Sequence, residues 1–256
     1  MKTLIRDVRI FDGTDLLPGN GAVLVDGNRI TGVATTADAF DGTGADRVIE
    51  GQGRTLMPGL VDAHTHLQLG SSVEVMGRPG NHPAEQLALT AAHCGRVMLD
   101  YGYTSAYSGG PSSGAAEIAV KAAFDKGMLP GPRLITSSME RLPGGAPGLV
   151  FKFPGRAVRT SDPAAVAQFV GEMAELGLQS VKFLLNGVSA MDSGTNLTEQ
   201  FYEEEILAGA EAAHKAGLWL TAHCYTAESI KLAIKAGFRV IYHCNYADDE
   251  AIEAIV

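Results

Sequence analysis

The chain has 256 residues, 46% of them hydrophobic and 19% charged, with a formal net charge of −9. That length and apolar content allow one large core or two smaller ones. The acidic balance, without any basic stripe, argues against a nucleic-acid or anionic-membrane partner, and no apolar run approaches the roughly 18 residues of a membrane span.

The first residues alternate charged and apolar side chains instead of forming a signal sequence, which points to a cytoplasmic protein. Residues 3–10 and 21–25 read as strands, Asp26-Gly27-Asn28 as a hairpin turn, and 29–34 and 47–50 as further strands. Residues 1–58 are therefore expected to be the N-terminal part of a small antiparallel β-sandwich layer, too short to be stable unaided.

From residue 59 the pattern becomes strand then helix, repeated to 256. Apolar runs at 60–63, 104–107, 133–136, 180–185, 218–222 and 239–242 alternate with helical segments at 83–100, 115–126, 163–176, 199–216 and 227–236, and a last short helix begins near Asp248. Gly102, Gly127, Gly177, Gly217 and Gly237 fall where a helix end favours a left-handed residue. Such units imply a parallel sheet, wound as a doubly wound stack or as a barrel, and six strands are two fewer than a (β/α)8 barrel has. No glycine-rich nucleotide fingerprint is present, so the nucleotide-binding versions lose their usual support. Gly109-Gly110 and Gly144-Gly145 read as loops at the mouth of the sheet, with a phosphate cradle as the weaker alternative.

In Met57-Pro58-Gly59-Leu60-Val61-Asp62-Ala63-His64-Thr65-His66-Leu67, a turn leads into a short strand that ends in two histidines. Side chains two apart on a strand share a face, so His64 and His66 can hold one ion. The runs at 218–222 and 239–242 lead directly into His223 and His243, at the ends of adjacent strands. Three of six strands ending in histidine, with seven histidines in the chain, point to a metal site at the strand ends, where an α/β barrel keeps its active site. His82, His93 and His214 lack that setting and read as structural. Lys182, inside an apolar strand, is at an edge, buried against a carboxylate, or chemically used. Facing the inside it should have a lowered pKa, and a neutral amine can take up carbon dioxide as a carbamate that bridges two metals. Cys94, Cys224 and Cys244 are odd in number and lack C-x-x-C spacing, which suits packing residues better than a disulfide framework.

Together these residues resemble the amidohydrolase superfamily, and within it the imidazolonepropionases and prolidase-like metal-dependent hydrolases. The matching pieces are the stretch from Pro58 to His66, Gly131-Pro132-Arg133, Lys182, Ala222-His223 with Ala233-Ile234-Lys235-Ala236-Gly237 downstream, and His243. The resemblance covers essentially the whole chain. It implies a TIM-like (β/α)8 barrel over residues 59–256, incomplete here at six strands, after the small β layer. It also implies that His64 and His66 hold one divalent ion, that His223 and His243 hold a second, and that a carboxylated Lys182 bridges them. Zn²⁺ is the expected metal and CO₂ the source of the carbamate.

The family's general-base aspartate follows an eighth strand, and Asp248 and Asp249, at a helix start, do not replace it. The sequence is accordingly read as a piece of a longer protein, slow or inactive by itself. The implied reaction is hydrolysis of an amide-type C–N bond in a small molecule, such as an N-acyl amino acid, a dipeptide or a cyclic amide, by a metal-bridging hydroxide. Tyr225 and Arg141 are candidate substrate contacts at the mouth, Pro143-Gly144-Gly145-Ala146-Pro147-Gly148 is a loop able to cover it, and homo-oligomerisation stays open. Two other readings remain: a single-metal deaminase of the same fold, in which the lysine is ordinary, and a non-catalytic relative that keeps the barrel.

Overall fold

A computed structural model describes residues 1–70, 82–143, 154–189 and 192–256. Two compact units divide the chain, Met1–Leu60 and Val61–Val256.

In the first unit, β1 (Lys2–Ile10), β2 (Gly21–Asp26), β3 (Arg29–Ala34) and β4 (Arg47–Glu50) form a sheet in the order β3-β2-β1-β4, and β5 (Thr55–Leu56) also pairs with β1. The expected hairpin joins β2 to β3, and β1–β2 and β2–β3 are antiparallel. β4 and β5 instead run parallel to β1, which makes the layer mixed rather than antiparallel. The segment 35–46 is long enough for a crossover, the connection a parallel neighbour requires. Two-residue β5 is too short for periodicity to reveal. Val8, Ile10 and Val23 form the small core of this layer, with Ile5, Leu17, Val25 and Leu56 packed on it.

The second unit alternates β6 (Leu60–Thr65), α1 (Ala84–Asp100), β7 (Tyr103–Ser108), α2 (Gly114–Asp125), β8 (Arg133–Ile135), α3 (Pro163–Glu175), β9 (Ser180–Leu184), α4 (Glu203–Ala216), β10 (Trp219–Thr226), α5 (Ala227–Lys235), β11 (Val240–Tyr246) and α6 (Asp249–Ile255). A short 3-10 turn at Arg156–Val158 was not foreseen. The strands make two three-stranded sheets, β6-β7-β8 and β9-β10-β11, and single parallel bridges between Ser137 and Ser180 and between Arg141 and Phe183 link β8's continuation to β9. Pairings β7–β8, β9–β10 and β10–β11 are parallel. The described residues form these two sheets without closing a barrel.

Period-two alternation sorts β9 between two environments. Val181 and Phe183 join the apolar core made with α3, α4 and α5, while Lys182 turns to the other side. Ile206, Leu220 and Ile230 in that core are at most 1% exposed, and each such side chain contributes roughly 1.5–3 kcal/mol of burial. A second cluster, from Leu67, Ala91, Ala106, Val120, Phe124 and Leu134, seats α1 and α2 on β6–β8. Gly131 of the Gly-Pro-Arg segment lies under Phe124, whose ring atoms would stand 2.4 Å from any Cβ there.

Ser113, Asp162, Thr226 and Asp248 cap the starts of α2, α3, α5 and α6, each accepting a backbone N–H from its first turn. The five glycines expected to close helices all have positive φ. α4 begins later than the expected residue 199, because residues 199 and 200 pair with the end of β9: Gln200 N–H donates to Leu185 O at 2.9 Å, and Glu199 bridges Asn186. No helix among the described residues is long and apolar enough to cross a membrane.

Candidate metal centre

Three strand ends bring four imidazoles together. Ring centroids run 5.1 Å from His66 to His64, 5.2 Å from His64 to His243, and 4.6 Å from His243 to His223. Lys182 from β9 is fully buried, and its Nζ lies 3.2 Å from His64 Nε2 and donates to Gly109 O at 2.9 Å. Four histidines and one lysine, up to 179 residues apart in sequence (64 to 243), thus share one cleft.

His64, His66, Lys182 and His223 reach this cleft by simple alternation, but His243 does not. Tyr242, its neighbour, also faces inward, with its ring stacked on His64 at 3.9 Å and under Lys182 Nζ at 4.3 Å. Adjacent residues on a regular strand point to opposite faces. A register shift between β10 and β11 resolves this, because His243 and Cys244 both adopt left-handed φ, 77° and 51°. The bulge re-aims His243 into the cleft, and non-glycine residues in that region carry backbone strain of the kind found at functional sites.

Hydrogen bonds fix the tautomers. His66 Nδ1 pairs with Gly110 O at 2.8 Å, so this nitrogen carries the proton and Nε2 keeps its lone pair. His223 Nε2 pairs with Gly187 O at 3.2 Å, leaving Nδ1 as its free acceptor. Backbone carbonyls orient metal-binding histidines in this way. Burial, with Lys182 next, holds the His64 pKa far below the usual imidazole range. Burial and then His243 push His223 down to about 3, and burial and then Lys182 lower His243. These rings are neutral at pH 7, the state that binds cations. Burial also lowers Lys182 to about 8 against the opposing pull of Glu140, whose carboxylate lies 3.8 Å from Nζ. About a tenth of the amine is then neutral at pH 7.

Donor types and available space both suit divalent ions. A Cβ on Gly109 would sit 2.7 Å from His64 Nε2 and 2.9 Å from His66 Nε2, so the absence of a side chain leaves the space between the two nitrogens free. Among the described residues no group of three His, Cys, Asp or Glu is placed to hold an ion alone. The four imidazoles follow one another at 5.1, 5.2 and 4.6 Å, and Lys182 Nζ stands beside His64.

Several parts of the site were not anticipated. Tyr242 and Glu140 were unmarked, and Gly109 and Gly110, read as a loop, supply the carbonyls that meet Lys182 and His66. At Gly109-Gly110 the phosphate-cradle alternative fails, because Gly109 N–H is bound to Thr65 O at 2.7 Å and Gly110 N–H faces Ser108 Oγ at 3.4 Å. Tyr225 packs on His223 and His243 at 4.5 and 5.2 Å, at the cleft as expected. Arg141 does not join it. β8's continuation turns Glu140 toward Lys182, so Arg141 points to the helix layer, with its guanidinium over the Phe169 ring of α3 at 4.7 Å. In the proposed covering loop, residues 144–148 lie outside the described residues, as does Gly144-Gly145. The cysteines are free, with Cys224 in the core and Cys244 packed against it.

Behind Gly109 and Gly110 sits Glu117 of α2, 3% exposed. It accepts from Ser108 Oγ at 2.9 Å and from Ser137 N–H at 2.8 Å, tying the ends of β7 and β8 together. Burial raises its pKa to about 7 despite these two hydrogen bonds.

A family model described as "Amidohydrolase family" matches residues 55–255. The chain belongs to the amidohydrolase family. Ochratoxinase from Aspergillus niger is 28% identical over 269 aligned residues, spanning 93% of this chain and 54% of that protein. Imidazolonepropionase from Ectopseudomonas mendocina is 41% identical over 66 residues, 26% of this chain and 16% of that enzyme. Among solved structures, a Xaa-Pro dipeptidase with methionine bound in its active site is similar with a TM-score of 0.81 at 25% identity, over 99% of this chain and 64% of that one. This amidohydrolase chain spans about half the length of the ochratoxinase it matches.

Proposed function

We propose that this amidohydrolase is a metal-dependent hydrolase of an amide-type C–N bond in a small molecule, of the N-acyl amino acid, dipeptide or cyclic amide class, within a TIM-like barrel. One observation carries the reading: a lysine with 0% exposure whose amine stands 3.2 Å from His64 Nε2, in the cleft that His66, His223 and His243 share. In this reading His64 and His66 hold one divalent ion, His223 and His243 hold a second, and Lys182 bridges them as a carbamate. Two such ions, Zn²⁺ being the expected pair, polarise a carbonyl and make water nucleophilic at neutral pH.

The chain's own groups prepare that site. Gly110 O and Gly187 O hold the His66 and His223 rings with their lone pairs turned to the cleft. The Tyr242 ring excludes water beneath Lys182 and His64, which keeps part of the amine neutral for reaction with CO₂. Tyr225, half-buried beside His223 and His243, offers its phenol to a polar group of the substrate. The similarity to ochratoxinase and to a Xaa-Pro dipeptidase supports amide-type substrates.

A single-metal deaminase is the second reading, favoured by 49% identity over 49 residues to a 5'-deoxyadenosine deaminase from Methanothermobacter thermautotrophicus. Metal analysis together with a screen of N-acyl amino acids and dipeptides separates the two. Two ions per chain and amide hydrolysis support the hydrolase, whereas one ion and ammonia release from an aminopurine nucleoside overturn it.

A further inference from the structure

Arg141 is 6% exposed, yet its Nε has no hydrogen-bond partner among the described residues, and no carboxylate there lies within ion-pair distance of it. A buried guanidinium N–H without an acceptor is costly, and such groups in folded proteins normally meet one. The guanidinium borders a cavity of about 350 Å³ whose walls include Met139, Gln168, Phe169, Glu172 and Met173. On α3 these fall at i, i+1, i+4 and i+5 from Gln168, one continuous stripe of the helix. None of the four histidines lines this cavity.

Its chemistry is two-sided. Arg141 supplies a cation stacked on Phe169 with its Nε–H free of any acceptor among the described residues, and Glu172, an exposed residue, supplies a side chain held by Gln168 Nε2 at 2.9 Å. Met139, Phe169 and Met173 line the space with apolar surface, and the volume is at the small end of the range for small-molecule pockets. A simple anion would satisfy Arg141 but would also face the Glu172 carboxylate. A small zwitterion satisfies both. We propose that this cavity binds a free α-amino acid with an apolar side chain, its carboxylate on Arg141, its ammonium toward Glu172 and its side chain against Phe169 and the two methionines.

Calorimetric titration of the purified protein with L-leucine, leucinamide and 4-methylpentanoate tests this. Leucine should bind saturably, and the two analogues, each lacking one charge, should bind at least about tenfold more weakly. Arg141→Leu should abolish leucine binding. Glu172→Gln, at an exposed side chain where folding is not at stake, should weaken leucine about tenfold and strengthen 4-methylpentanoate, which no longer faces a carboxylate. His223→Ala should retain leucine binding, which separates this cavity from the metal cleft. Absence of saturable binding, equal affinity for the three probes, or binding lost in His223→Ala but intact in Glu172→Gln would overturn the proposal.

Discussion

Replacing Glu117 by Gln isolates the cost of a buried carboxylate behind the cleft. In the folded chain burial raises this carboxyl to about 7, against an ordinary value of 4.5. Between those values the folded state binds more protons than the unfolded one, so the stability this group contributes is full below pH 4.5 and is lost as pH rises through 7. The difference of about 2.5 units corresponds to roughly 3 kcal/mol. Gln keeps both contacts, with its carbonyl accepting from Ser137 N–H and its amide donating to Ser108 Oγ, but it does not titrate. The depressed histidines His64, His223 and His243 act in the opposite sense, destabilising the fold as pH falls below their ordinary 6.5, so the useful quantity is the difference between variant and parent. Urea unfolding at pH 5 and pH 8 should show Glu117→Gln gaining about 2.5 kcal/mol on the parent between the two. An unchanged difference would refute the assignment of a raised carboxyl to this position.

Gly109→Ala inserts a methyl 2.2 Å from His64 Cδ2, so Zn²⁺ affinity should fall at least about tenfold while circular dichroism stays native. Arg159 makes a two-pronged ion pair with Glu205, whose side chain is 1% exposed, and Arg159→Ala should lower stability by about 3 kcal/mol in chemical denaturation, since it leaves a buried carboxylate without a countercharge, held only by the N–H groups of Asp162 and Tyr202. For the metal-free protein, stability should decline as pH falls from 6.5 toward about 3, the window in which the unfolded histidines take up protons and the folded ones do not. His223→Gln should flatten that limb in the same titration.

Much of the cleft was legible because its residues obey short-range rules. His64 and His66 share a face by period two, His223 ends an apolar strand, and Lys182 is conspicuous as the one charge in residues 180–185. His243 was reached for an incomplete reason. Its strand does lead to the cleft, but regular alternation would give the inward position to only one of Tyr242 and His243, and the bulge that admits both has no glycine to announce it. Glu140, Tyr242 and the carbonyls of Gly109, Gly110 and Gly187 act through tertiary contacts that no local pattern encodes. Arg141 was misplaced because the segment after β8 has no apolar periodicity to fix its facing. The parallel β4 was missed because a crossover and a plain loop look alike in sequence.

One paired measurement decides whether Lys182 bridges two cations as a carbamate. Zinc-loaded protein prepared in ¹³C-bicarbonate is assayed for metal by mass spectrometry and for a carbamate carbon by NMR, beside Lys182→Ala prepared identically. Two ions per chain and a carbamate resonance are expected in the parent, with both lost in the variant; equal metal content in the two proteins would refute the bridging role of Lys182.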